Sequence, residues 1–151
     1  MPPKAISAVL DTNVLISGLV ADQGFPRQIL DAWLEGRFTL VTSFYLVEEV
    51  THVLTYPRIA GHLQLGDAEL AAILAALLSR AKVTLGQLRL PGATRDSKDD
   101  AVVACAVEGK ADYIVSGDQD LLALGEYESI RVMTPRQFVE IIAGQGLESA
   151  T

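Results

Sequence analysis

Asp11, Glu49, Asp99 and Asp118 are spread along the chain, and each stands where an apolar run stops or beside one. Asp11 ends Ala8-Val9-Leu10, Glu49 lies within Leu46-Val47-Glu48-Glu49-Val50, Asp99 precedes Ala101-Val102-Val103-Ala104, and Asp118 follows Tyr113-Ile114-Val115-Ser116-Gly117. A carboxylate beside a core is costly unless something positive compensates it. Four of them at core margins point to a hard divalent cation such as Mg²⁺ or Mn²⁺.

Each acid also has a plainer reading. Asp11 suits an Asx-turn or a helix N-cap for Val14-Leu15-Ile16, with Thr12 and Asn13 able to hold the carboxylate or to form the turn. On a helix around Glu48 and Glu49 the apolar face is Leu46, Val47, Val50, Val53 and Leu54. At about 100° per residue Glu48 points away from that face, whereas Glu49 lies at its border and can reach a cleft. In Asp96-Ser97-Lys98-Asp99-Asp100, Asp99 shares a face with Val102, Val103 and Ala106, and Asp100 with Ala104 and Val107. Asp99 is therefore the preferred ligand, Asp100 the runner-up and Asp96 an accessory, against the plainer reading of an acidic first helical turn. Either Asp118 or Asp120 should cap a short helix and leave the other for the cleft, while Ser116 could hydrogen-bond a carboxylate or a phosphate.

The elements that must position these residues alternate. Ala5–Leu10 reads as a buried strand, followed by a helix around Ile29, Leu30, Trp33 and Leu34 with Pro26 near its start and Gly36 as its stop. Phe38–Val41 reads as a strand, with Thr42 or Ser43 capping a helix from about Phe44 to Thr55 that ends before Pro57. A helix from Asp67 to about Arg80 carries Leu70, Ile73, Leu74, Leu77 and Leu78 at helical spacing. Lys82–Leu85 suits a strand, Leu88–Gly92 a strand end or loop, Asp99–Glu108 a helix, Ala111–Ser116 a strand and Asp118–Leu124 a short helix. Ile130–Met133 suits a strand, and Thr134-Pro135 caps a final helix to about Ala143. The expectation is an α/β fold with a central parallel sheet flanked by helices, one domain over residues 1–144 and a short tail, 145–151. Ligands of such sheets bind beyond the carboxyl ends of the strands, where Asp11 and Asp118 should both lie.

Composition narrows the function classes. The 151-residue chain is half hydrophobic and about a fifth charged, as expected of a globular domain. The net charge of −7 argues against an electrostatic nucleic-acid coat, although two bound Mg²⁺ would offset four of those charges. No stretch approaches the ~20 apolar residues of a bilayer span, and Met-Pro-Pro-Lys lacks a signal peptide's apolar region, so a cytoplasmic location is expected. Cys105, the single cysteine, reads as a buried hydrophobe. His52, expected on an exposed helix face, and His62, expected in a loop, are isolated from each other and from Cys105, which argues against zinc. Phosphate-loop, dinucleotide and nucleophile-elbow motifs are absent. A phosphatase with a strand-end aspartate nucleophile would want a second aspartate where Asn13 stands.

With these residues placed, the sequence resembles a PIN domain, and within that family the toxin components of toxin–antitoxin pairs related to VapC-type ribonucleases. The resemblance runs from Val9 to about Phe138, on Val9–Gly18, on Thr42-Ser43 with Glu48-Glu49-Val50 and Val53-Leu54, and on Asp96–Ala106 continuing into Ala111–Leu122. It implies a PIN-like fold and metal-dependent cleavage of RNA by an acidic cluster. The family's four acids fall on Asp11, Glu49, Asp99 and Asp118, with Glu48 and Asp100 adjoining two of them. Ser116 stands where the family often has Thr. Asp11, Asp99 and Asp118, with Glu49 as ligand or orienter, would hold one or two Mg²⁺ or Mn²⁺ ions that activate water against the scissile phosphate. Arg27, Arg58, Arg95 and Lys98 are candidate phosphate contacts, set against a reading as solubilising surface. The expected partners are RNA, a small cognate antitoxin in an apolar groove near the site, and a second copy in a homodimer. The alternative from another class is a catalytically inactive PIN domain that binds nucleic acid or protein.

Overall fold

The computed structural model describes residues 5–61 and 66–149, so His62 lies outside the described residues. Among the described residues six strands form one sheet: β1 (Ser7–Leu10), β2 (Thr39–Ser43), β3 (Lys82–Thr84), β4 (Tyr113–Val115), β5 (Glu126–Tyr127) and β6 (Ile130–Met133). The described helices are α1 (Thr12–Val20), α2 (Phe25–Leu34), α3 (Phe44–Leu54), α4 (Pro57–Ala60), α5 (Asp67–Ser79), α6 (Ser97–Glu108), α7 (Gln119–Leu124) and α8 (Pro135–Ser149). None of the described helices is long and apolar enough to cross a membrane.

The strand order is β3-β2-β1-β4-β6-β5. All pairs are parallel except β5–β6. The antiparallel edge was not expected from sequence, because Glu126–Tyr127 is too short to carry an alternating pattern. Successive strands run outward from β1 to β2 to β3, and the chain then returns to place β4 on the other side of β1. The order therefore reverses between β1 and β4, which makes that junction the switch point where such sheets open a crevice. Asp11 N–H donates to Val115 O at 3.0 Å across it.

Side chains alternate across the strands and build a core on each face of the sheet. Ala8, Leu10, Leu40, Val115 and Met133 face α1, α2, α3, α5 and α8, in a cluster with Leu19, Trp33, Val50 and Phe138. Val9, Val41, Ile114 and Val132 face α6 and α7, in a cluster with Val102, Val103, Ala106 and Leu121. Burial on both faces is why β1 reads as a continuous apolar run.

Local chemistry sets the helix ends. Ser43 Oγ accepts from Leu46 N–H at 3.2 Å and starts α3. Gly36 takes φ +77° after α2, the left-handed turn that favours glycine. At α8, Thr134 Oγ1 accepts from Gln137 N–H at 3.2 Å and Gln137 Oε1 accepts from Thr134 N–H at 2.9 Å, a reciprocal capping box. That helix continues to Ser149 rather than ending near Ala143, so most of the expected tail is helical. Gly144 does not stop it, since the helix carries on through that glycine. Helix α6 begins at Ser97, two residues before the expected start, because Asp96 Oδ1 accepts from Lys98 N–H at 2.9 Å.

Gly109, which ends α6, sits against the sheet. A β-carbon there would meet Val41 Cγ1 at 2.4 Å and Cys105 O and Thr84 Cγ2 at 3.1 Å. Gly109→Ala should therefore destabilise the fold by about 1–3 kcal/mol. Gly144→Ala, in open space within α8, should be neutral or stabilising by about 0.5–1 kcal/mol. Urea denaturation of both variants checks the contrast, and an unchanged midpoint for Gly109→Ala would contradict the packing described.

Candidate metal centre

Four loops and helix ends meet at the switch-point crevice. The peptide after β1 delivers Asp11, whose side chain is almost wholly buried. Asp11 occupies the position before α1 but makes no side-chain capping bond there. Its carboxylate turns instead toward β4, where Ser116 Oγ donates to Asp11 Oδ2 at 2.8 Å. The same Ser116 oxygen accepts from Asp118 N–H at 2.9 Å. One fully buried hydroxyl thus ties the ends of β1 and β4 together. Asp118 Oδ1 accepts from Asp120 and Leu121 N–H at 2.8 and 3.2 Å, so Asp118 is the residue that caps α7.

Helix α6 aims Asp99 into the same crevice. The residue is 7% exposed, and Asp99 Oδ2 is buried with no hydrogen-bond partner. Carboxylate oxygens of Asp99, Asp118 and Asp120 lie within 4.8 Å of one another. Asp99 and Asp100, which sequence geometry left as rivals, point to different places. Asp100 accepts from Gly92 N–H at 3.1 Å, Thr94 N–H at 2.5 Å and Thr94 Oγ1 at 2.7 Å, and so pins the loop before α6. These bonds hold its pKa below the usual value, the Thr94 hydroxyl contributing most. Asp96, considered an accessory, serves as the α6 cap.

Helix α3 contributes Glu49 from the other side. Thr12 Oγ1 donates to Glu49 Oε2 at 3.1 Å, and Lys98 Nζ stands 3.9 Å from Glu49 Oε1. Glu48 is exposed, as its helical angle implies. Asn13 is exposed and makes no hydrogen bond to these acids. Of the cations considered for phosphate, the side chain of Arg58 lies outside what the structure describes; among the described ones Arg27 pairs with Asp31 at 3.2 Å, Arg95 is exposed, and Lys98 pairs with one of the four acids. Thr12, expected to hold the Asp11 carboxylate or to form the turn, gives its hydroxyl to Glu49 instead; a hydroxyl directly after the strand-end acid is the signal that marks it. The bracing role of Asp100 had a weaker signal, the turn-forming Pro91-Gly92 a few residues before it.

The electrostatics follow from this geometry. Burial pushes the Asp11 pKa up, opposed by the Ser116 hydroxyl and reinforced by the charges of Asp118 and Glu49. Burial, then the charges of Asp118, Asp11, Asp96 and Asp120, push Asp99 from 3.8 up to about 6. The buried thiol of Cys105 is pushed up to about 11, chiefly by desolvation, which makes it a poor nucleophile near neutrality. Clustered carboxylates, one with a stranded buried oxygen, form an all-oxygen donor set suited to Mg²⁺ or Mn²⁺.

The PIN domain family profile matches residues 7–120 of this chain. The uncharacterized protein MJ1680 of Methanocaldococcus jannaschii is 30% identical over 143 residues, covering 89% of this chain and 90% of that protein. The chain belongs to the PIN domain family. PIN domains are generally metal-dependent nucleases, and the acidic cluster is compatible with a divalent metal.

The Asp99 shift has a sign that can be tested without activity. A carboxyl whose pKa is raised on folding favours the fold below its unfolded value of 3.8, and that contribution is lost as pH rises through about 6. Metal-free Asp99→Asn should therefore be more stable than the parent near neutral pH, by on the order of 1 kcal/mol or a few degrees in Tm, with the gain vanishing near pH 4. Mn²⁺ should raise the Tm of the parent and not of the variant. Thermal denaturation at both pH values, with and without Mn²⁺, reads this; a lower neutral-pH Tm for Asp99→Asn would contradict it.

Proposed function

We propose that the chain is a Mg²⁺- or Mn²⁺-dependent endoribonuclease, with Asp11, Asp99 and Asp118 as metal ligands and Glu49 as ligand or orienter. The observation that carries this reading is the unpartnered buried oxygen of Asp99 among neighbouring carboxylates. A buried acceptor left unpaired costs free energy, and a cation in the crevice removes that cost. When bound, such an ion supplies an acidified water and offsets charge on the phosphate.

The chain's own residues provide the positioning. The Ser116 hydroxyl fixes Asp11 and the Asp118 backbone in one geometry. The α7 cap occupies Asp118 Oδ1 and limits its rotation. Thr12 holds one oxygen of Glu49, so the other faces the crevice rim where Lys98 stands. Lys98, 67% exposed along its side chain, is free to swing to a phosphate once the acids are neutralised. Asp120, open to solvent near Asp99 and Asp118, is an accessory ligand.

The resemblance to VapC-type ribonucleases supports a finer reading as the toxin component of a toxin–antitoxin pair, restrained by a small cognate antitoxin and acting in the cytoplasm as a homodimer. Cleavage of RNA is the part that can be tested first. Single-stranded RNA should be cut with Mn²⁺, with activity lost in EDTA and reduced by about 100-fold or more in Asp11→Asn. Equal cleavage in all three would contradict the proposal. No cleavage, together with no binding of millimolar Mn²⁺, would favour the inactive binding module.

Ser116→Ala should weaken Mn²⁺ binding by about tenfold and lower the cleavage rate, since it frees Asp11 while removing no ligand. Calorimetric titration with Mn²⁺ checks the affinity; binding as tight as the parent's would show that the Ser116 bond does not set the ligand geometry.

A further inference from the structure

On the other flank of α6 lies a groove of about 700 Å³, bounded by α3, the loop after β3 and α6. Its walls include Phe44, Tyr45, Leu85, Leu90, Pro91 and Ala101. Phe44, Tyr45 and Leu85 are 58%, 50% and 70% exposed, a high exposure for large apolar side chains placed together. We infer that this groove is a subsite for an unpaired nucleobase beside the scissile phosphate. The inference rests on the nuclease reading above and adds to it a place for one base of the substrate.

The groove and the acids share a boundary. Ser97 and Asp100 line the groove, Asp99 faces the crevice, and Lys98 lies between them paired with Glu49. On α3, Tyr45 is one turn before Glu49 and on the same side of the helix. A strand crossing the first turn of α6 would therefore pass a phosphate by Lys98 toward the acids while its next base met Tyr45 and Phe44. Aromatic rings beside a cation are what single strands use, because every base has a face to stack.

The groove's polar groups fit an uncharged, flat occupant. Asp100 and Glu108 line it and would repel a phosphate. Both carboxylates are already engaged: Asp100 by Gly92 and Thr94, and Glu108 by Leu88 N–H at 3.1 Å and Gln87 N–H at 3.5 Å. Ser43 Oγ is taken by the α3 cap. A base needs mainly its faces covered, which the aromatic and aliphatic walls supply. The bonds from Asp100 and Glu108 also brace the facing loops, so the groove exists before anything enters it.

The test uses the full chain, single-stranded RNA oligonucleotides and two readouts. In cleavage, Tyr45→Ala should raise KM by about tenfold, with Tyr45→Phe restoring it. One abasic position next to the cut should carry a similar loss, and the two changes together should cost no more than either alone. In binding, a fluorescent adenine analogue at that position should be quenched on the non-cleaving Asp11→Asn protein, and the quench should disappear when Tyr45→Ala is added. A flat abasic profile, or a quench indifferent to Tyr45, would overturn the groove assignment while leaving Mn²⁺-dependent cleavage standing. If the parent cleaves no RNA, the nuclease reading fails, and the quench alone decides whether the groove binds a single strand. Loss of a dimer in Tyr45→Ala with the quench unchanged would assign the groove to a second copy and overturn the inference.

Discussion

Mutual repulsion among carboxylates withdrawn from water is the constraint that organises this molecule. Asp11 and Asp99 are nearly buried, yet Asp118 and Asp120 stand close enough to raise the Asp99 pKa further. Such an arrangement opposes folding, so a rigid frame must hold it. The frame is the parallel sheet with apolar side chains packed on both faces. Its strand order reverses between β1 and β4, and the reversal leaves a gap that neighbouring connections do not fill. The acids line that gap because their backbones are fixed there, whatever their charges prefer.

The bonds around the acids show how the frame is extended to the side chains. Ser116 ties Asp11 to the Asp118 backbone, Thr12 holds Glu49, and the α7 cap holds Asp118. Each bond leaves part of the carboxylate free, so rigidity is gained without exhausting the donor set. The unpartnered oxygen of Asp99 marks where this satisfaction stops. Sites that bind charge commonly carry such local instability, because the ligand removes it.

Much of the fold was legible because the signals were local. Buried strands appeared as short apolar runs, and Ser43, Pro26 and Gly36 marked helix ends by their ordinary chemistry. Helical angle sufficed to place Glu48 outward and Glu49 at the cleft margin, since the apolar face of α3 is unambiguous. The same argument was weaker for Asp99 and Asp100, because α6 is lined by small residues on more than one side. What separates them is the irregular loop before α6, whose Gly92 and Thr94 fold back onto Asp100 with no periodic pattern to announce it. Partners distant in sequence, such as Ser116 with Asp11, leave no local pattern to read. The β5 edge was missed because it is two residues long, and the end of α8 was placed near Ala143 because the residues after it are mostly small and carry little helical pattern.

If these carboxylates are gathered for a cation, its binding should displace protons from them. Calorimetric titration with Mn²⁺ in buffers of different ionisation enthalpy measures both the binding and the protons displaced. With Asp99 at about 6, binding should release about half a proton or more from the cluster at pH 6 and little at pH 8. Asp99→Asn should abolish that difference. Absence of any saturable heat at millimolar Mn²⁺, or a proton release identical in parent and Asp99→Asn, would show that the carboxylates are not gathered for a cation.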